Sequence, residues 1–277
     1  MPEPVLVLGA TGTTGSRVVE TLTRQGVSVR AATRTPTVEN QVRFDWAAPE
    51  TWAAALRGTA AVYLIAPIGV ADPVPLLEPF LRESARQGVR RVVLLSSSAV
   101  PEGAPGLGAA HRLVRELAPE WTVLRPSWFM QNFTGTHPHA QGVEAGELVT
   151  ATGRGRVGFI DAADIAVVAA HALTAEVSLD TELLLTGPEA LGYSDVAAIL
   201  AEVTGRPMRH RSVAVDEFAA RLTELGYPAD FSAMLAALDG DIRRGAQDQL
   251  TSTVTDLTGW PARSFRDFAR KQWTTAR

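Results

Sequence analysis

Residues 5–15 read Val-Leu-Val-Leu-Gly-Ala-Thr-Gly-Thr-Thr-Gly, and no other stretch restricts the fold as tightly. Four apolar residues in a row predict a buried strand. Gly9, Gly12 and Gly15 follow at the spacing G-x-x-G-x-x-G, and Val18, Val19 and Leu22 then mark one face of a helix. Strand, glycine turn and helix in that order make a seat for a phosphate. Gly9 permits the tight turn, Gly12 lets the backbone approach a pyrophosphate, and Gly15 lets the helix pack on the strand. Thr11, Thr13 and Thr14 complete the loop. The helix N-terminus offers free N–H groups and a partial positive charge to the anion. A glycine triplet alone means little; its place between a strand and a helix points to a dinucleotide site.

Strands and helices alternate through the first two thirds. After the first strand, apolar β-branched runs at Val27–Ala32, Gln41–Phe44, Ala61–Ala66, Arg91–Ser96 and Thr122–Arg125 predict strands. Helices are expected between them at Glu50–Leu56, Pro75–Gln87 and Gly108–Leu117. This pattern predicts an α/β fold, a doubly wound parallel sheet of Rossmann type with helices on both faces. Phe129–Gly146 reads as irregular and polar, Glu147–Ala151 as an edge strand, and Glu182–Leu185 as a strand returning to the sheet. A helix is expected at Asp164–Leu173, and further helices at Ser194–Thr204, Val215–Leu225 and Phe231–Asp239. The expected division is a dinucleotide-binding core at 1–187, with 127–155 contributing to a cleft wall, and a smaller, mostly helical substrate lobe at 188–277. The second part is expected to close a cleft over the carboxyl ends of the strands.

Composition removes several chemistries. The net charge is −4 and no basic block stands out, which argues against a nucleic-acid partner. There is no cysteine, so disulfides, thiol catalysis and cysteine metal sites are excluded. Lys271 is the sole lysine, which makes lysine-dependent catalysis improbable. The longest apolar run, near Ala60–Ala71, is too short and too proline-broken to span a membrane. No secretory signal is visible, and the cytoplasm is the default expectation. His137 and His139 stand two apart without a third ligand, so no metal site is expected.

Candidate site residues cluster after the expected strands. Arg34 follows the second strand, where an NAD-preferring site carries an acid for the ribose 2′-hydroxyl. Arginine suits a 2′-phosphate instead, so the expected cofactor is NADP(H). Asp45 ends the third strand, as an adenine contact or a turn residue, and Ala66 and Pro67 end the fourth beside the cofactor. Ser96, Ser97 and Ser98 end the fifth, Ser96 toward the cofactor and the other two toward catalysis. Trp128, Phe129, Gln131, Asn132 and Phe133 mix apolar and polar surface, as a substrate-pocket wall does. Asp161 and Asp164 open a helix, Asp161 as its N-cap.

With these residues in hand, the chain resembles the NmrA-like, atypical short-chain dehydrogenases. The resemblance rests on Gly9-Ala-Thr-Gly-Thr-Thr-Gly-Ser-Arg17, Phe44-Asp-Trp46 with Thr51-Trp52, Val62-Tyr-Leu64 before Pro67, Trp121–Phe133, and Phe159-Ile-Asp161 with Asp164-Ile165. The Gly-Thr-Thr-Gly-Ser-Arg and Phe-Asp-Trp details resemble the branch of the agroclavine and festuclavine dehydrogenases. The resemblance implies NADPH-dependent reduction of an iminium or related C=N or C=C bond in a small metabolite. Many short-chain reductases follow the serine at the fifth strand with a Tyr-x-x-x-Lys pair. Those places hold His111 and Arg115 here. Arg115 orients and neutralises charge without shuttling a proton, while His111 is a candidate proton donor. An iminium fits the replaced pair, since hydride addition to a cation leaves a neutral amine and requires no donor. Two further readings stay open: an NADP(H)-binding redox sensor without turnover, and a non-redox isomerase or cyclase. The expected assembly is a monomer or a homodimer.

Overall fold

A computed structural model describes residues 3–274. The chain opens with β1 (Val5–Val7), α1 (Gly15–Arg24), β2 (Val29–Thr33), β3 (Gln41–Arg43) and α2 (Trp52–Leu56). β4 (Ala61–Ile65), α3 (Val74–Arg86), β5 (Arg91–Leu95), α4 (Leu107–Leu117) and β6 (Glu120–Pro126) follow. Then come α5 (Pro138–Ala145), β7 (Glu147–Thr150), β8 (Arg156–Val157), α6 (Ala162–Thr174) and β9 (Thr181–Leu185). The last elements are β10 (Leu191–Gly192), α7 (Tyr193–Thr204), β11 (Arg209–Ser212), α8 (Val215–Glu224), α9 (Ala229–Arg243), α10 (Thr253–Thr258) and α11 (Phe265–Trp273).

These elements form two compact units. The first holds residues 1–126, 162–185 and 256–259. Its seven strands pair in the order β3-β2-β1-β4-β5-β6-β9, every neighbouring pair parallel. β4 and β5 read Ala-Val-Tyr-Leu-Ile and Arg-Val-Val-Leu-Leu and are buried along nearly their whole length. Central parallel strands are covered on both faces, which explains continuous apolar runs rather than alternation. α1 packs on α6, while α2, α3 and α4 enclose the cluster of Leu6, Leu64, Phe80, Leu94 and Val114. Arg91 is the charged exception at the start of β5. Its guanidinium pairs with Glu120 at 2.7 Å and donates to the Ala175 carbonyl at 2.6 Å, where the last turn of α6 leaves its acceptors free. The strand order reverses between β1 and β4, and ligands of such sheets sit at that switch, outside the carboxyl ends.

The second unit holds residues 127–161, 186–255 and 260–277. This division departs from the expected break after residue 187, because residues 127–161 pack among the later helices. Phe133, Phe159, Tyr193, Phe265 and Phe268 form one buried core there with Met130 and Leu148. The stretch read as irregular contains a 3-10 turn, Met130–Phe133, and the helix α5. Pro138 starts that helix, the His137 ring accepts from the His139 amide, and Gly146 ends it at φ 78°. β11 escapes a hydrophobic reading because Arg-His-Arg-Ser has no apolar alternation. It is held by its backbone, paired in parallel with β7 from Arg209↔Glu147 to Ser212↔Thr150.

Asp239, in α9, is buried in this unit and accepts from the Ala151 amide at 2.8 Å. Burial pushes its carboxyl up to about 7. The folded state therefore holds a proton that the unfolded chain has released, and stability falls as pH rises from the ordinary aspartate range to neutrality. Asp239→Asn removes this slope. The difference in urea midpoint between variant and wild type should grow in the variant's favour across that window and stay flat above it. A difference independent of pH would contradict the assignment.

Candidate functional site

β1 delivers the glycine turn to the carboxyl edge of the sheet at the switch point. Gly9 has φ 60°, a left-handed conformation that favours glycine. A Cβ on Gly15 would lie 2.2 Å from the Gly9 carbonyl oxygen, so α1 reaches the turn only because that position is bare. A Cβ on Gly12 would meet that oxygen at 3.2 Å, a tight but adjustable approach, and Gly12 is exposed. The Gly12 amide donates to Gly9 at 2.8 Å and the Ser16 amide to Gly12 at 3.1 Å. The amides of Thr11, Thr13 and Thr14 find no acceptor among the described residues. Thr14 does not cap α1 with its side chain. An exposed cradle of bare Cα positions, free N–H groups and a helix N-terminus fits a pyrophosphate. Ala66 and Pro67, half-buried, follow β4 next door.

Arg34 follows β2, exposed, and makes no hydrogen bond or ion pair with any described residue. Asp45 is tied into a turn. Its Oδ1 accepts from the Ala47 amide at 3.0 Å, and its carbonyl accepts the Trp52 indole N–H at 2.9 Å. Phe44, Trp46, Trp52 and Phe80 pack ring against ring, at centroid distances from 5.1 to 6.5 Å. The Phe-Asp-Trp and Thr-Trp motifs thus brace the end of β3.

Ser96 is the first residue past β5, and a hydrogen-bonded chain runs from it. Ser96 Oγ lies 2.5 Å from His111 Nε2, and His111 Nδ1 lies 3.0 Å from Glu182 Oε1. Glu182 Oε2 accepts from Arg125 at 3.0 Å, and Arg125 reaches on to the Ser98 carbonyl at 3.4 Å. His111 is 1% exposed. Burial lowers its pKa, outweighing the pull of Glu182 in the other direction. Ser97 Oγ accepts from the Ala99 amide at 3.2 Å, a local turn contact. Arg115 stands apart on the exposed side of α4, in an ion pair with Glu102 at 2.7 Å. Arg125 and Glu182, expected from the sequence only as strand ends, are the charged partners of His111. Their signal was a single charge inside the apolar strands Thr-Val-Leu-Arg and Glu-Leu-Leu-Leu.

In the second unit, Phe133 is core and its ring meets Phe159, Phe265, His139 and Tyr193. The Gln131 amide donates to the buried Asp161 at 2.8 Å, and Arg263 pairs with the same carboxylate. Trp128, Phe129 and Asn132 remain half-buried. No group of three metal-ligating side chains occurs among the described residues, and no described helix is long and apolar enough to cross a membrane.

A family model described as NAD(P)H-binding matches residues 9–176. The chain is 42% identical to an uncharacterised oxidoreductase, YesF, of Bacillus subtilis over 98% of this chain and 97% of that one. It is 37% identical to agroclavine dehydrogenase of Claviceps fusiformis, covering 95% of each. An Escherichia coli NADPH-dependent quinone oxidoreductase, solved with NADPH, superposes at a TM-score of 0.83 over 96% of this chain and 99% of that one, with 22% identity.

Proposed function

The chain belongs to the NAD(P)H-binding family, in its NmrA-like branch beside the clavine dehydrogenases, and from that premise we propose an NADPH-dependent reductase. Its substrate is a small cyclic or aromatic metabolite with an iminium C=N bond, or a conjugated C=C or C=O bond. The observation that carries the cofactor reading is the glycine cradle, with its free amides beside an unpaired Arg34. A guanidinium without a protein partner, just past β2, is suited to a 2′-phosphate, whereas a ribose hydroxyl gains little from it.

The nicotinamide, when bound, supplies a hydride to the electrophilic carbon. With an iminium, the π pair of the C=N bond withdraws onto nitrogen and cancels its charge, so charge and atoms balance without a proton. This chain's part is then to hold the cation at near-attack distance and exclude water. The buried His111 favours this reading over a ketone, because lowering its pKa makes the protonated, donating form scarce at neutral pH. Trp128, Phe129 and Asn132 are our candidates for substrate contact, since Gln131 and Phe133 are engaged elsewhere.

Arg34→Ala tests the cofactor choice. Wild type should bind NADPH more tightly than NADH by ~1.5–3 kcal/mol, the worth of a hydrogen bond to a charged group, and the variant should lose that margin. Equal affinities in the wild type would sink the NADPH reading. The pH dependence of kcat tests the reaction class. A histidine acid would make the rate fall as pH rises through its lowered pKa; hydride transfer to an iminium leaves kcat level there.

A further inference from the structure

Gly153, Arg154, Ser194, His210, Ser212 and Arg243 line a cleft of about 600 Å³, and all six belong to the second unit. Local geometry brings each of them there. Side chains alternate along a strand, so His210 and Ser212 share one face of β11, while Arg209 and Arg211 take the other and pair with Glu147. Ser194, in the first turn of α7, has its Oγ 3.2 Å from His210 Nδ1. The turn Thr152-Gly-Arg-Gly-Arg156 supplies Arg154. Gly155 lets that turn lie against the end of α9, where a Cβ would stand 2.0 Å from the Ile242 carbonyl oxygen. Gly153 lies under the Arg243 side chain, and a Cβ on it would stand 3.1 Å from Arg243 Cγ and Nε.

Two guanidinium groups thus line one cleft, and neither makes a hydrogen bond or ion pair with any described residue. Arg243 is not needed to cap its own helix. The last carbonyls of α9, those of Gly240, Asp241 and Ile242, accept from the amides of Arg244, Ala246 and Gly245. No carboxylate lines the cleft, and Asp195, next to Ser194, accepts from the Gly192 amide at 2.9 Å. In a chain of net charge −4, two unneutralised cations in one cleft repel each other until an anion joins them. We infer that this cleft binds a phosphate monoester with a polar body. Guanidinium forks match phosphate oxygens, a dianion answers two cations, and the exposed Ser194 and Ser212 hydroxyls donate to the oxygens left over. The volume leaves room beyond the phosphate, and no apolar side chain lines it, so the rest of the ligand is hydroxylated. The site is separate from the glycine cradle, which belongs to the first unit, and its assignment does not rest on the reductase reading.

The probe is glucose 6-phosphate, titrated by calorimetry against the full chain saturated with NADPH, so that the glycine cradle is already filled. One equivalent should bind saturably, glucose should not bind, and inorganic phosphate should bind more weakly than the ester. The ring resonances of His210, identified by their loss in His210→Asn, should move as the ester is added. Arg154→Gln and Arg243→Gln should each weaken the ester by roughly tenfold or more, the loss of one hydrogen bond between charged groups. Both arginines are exposed, so the two variants should melt with the wild type. Arg221→Gln removes the same charge outside the cleft and should leave binding unchanged. Absence of binding overturns the inference. So does binding that survives both cleft variants, that falls equally in Arg221→Gln, or that leaves the His210 resonances still. Tighter binding of citrate than of the ester would overturn the phosphate assignment, and equal binding of inorganic phosphate would overturn the polar body. A protein that takes the ester in this cleft but binds no NADPH would contradict the reductase reading alone.

Discussion

Gly12→Val should abolish nicotinamide-dinucleotide binding and leave the protein folded. The added side chain projects from an exposed position in the cradle, and its Cβ meets the Gly9 carbonyl at 3.2 Å, which a shift of a few tenths of an ångström relieves. Its backbone lies outside the left-handed region, so valine adds no strain of that kind. What cannot adjust is the approach of a pyrophosphate to the free amides around it. Losing two hydrogen bonds to a charged group at ~1.5–3 kcal/mol each amounts to at least a hundredfold in affinity. Gly15→Ala is the contrast. Its Cβ would stand 2.2 Å from the Gly9 carbonyl, so it should separate α1 from β1 and lower the melting temperature. Calorimetric titration with NADPH and a thermal scan distinguish the two variants. Normal binding by Gly12→Val would place the dinucleotide elsewhere.

Trp52→Ala should cost the first unit ~3–5 kcal/mol, the usual range for a buried aromatic truncated to alanine. Trp52 is 4% exposed, packs against Phe44, Trp46 and Phe80, and donates its indole N–H to the Asp45 carbonyl. Trp52→Phe keeps most of the packing and loses the hydrogen bond, so it should cost ~1 kcal/mol at most from that source. Urea unfolding measures both. Equal, small losses would mean that the aromatic cluster does not brace the corner after β3.

The sheet was legible because its central strands are near-continuous apolar runs and its glycines have rigid spatial demands. Gly9 and Gly15 announce themselves: one needs φ 60°, the other a missing Cβ. The unit boundary was hidden because residues 127–161 pack with segments much later in the chain, and no local pattern records a distant partner. β11 was hidden because its pairing with β7 is made by backbone, while its side chains read as surface. Asp45 read equally as an adenine contact or a turn residue, because a carboxylate at a strand end suits either. Its observed bonds are those of a turn. His111 was visible by position, yet its partners lie on β6 and β9, which are neighbours only once the sheet exists. Of this site the sequence displayed His111 alone; the fold joins it to Ser96 and to Glu182, 71 positions away.

In the iminium form of the proposed function, the protein passes a hydride from NADPH to a cationic C=N bond without needing a proton donor. The most direct measurement is NADPH consumption by the wild-type protein with a preformed cyclic iminium salt and with its ketone counterpart, followed from acid to alkaline pH. We expect one NADPH oxidised for each amine formed, with a kcat that holds level through the histidine range, and little consumption with the ketone. Consumption confined to the ketone, at a rate that falls as the histidine loses its proton, would contradict it, as would bound NADPH that reduces neither.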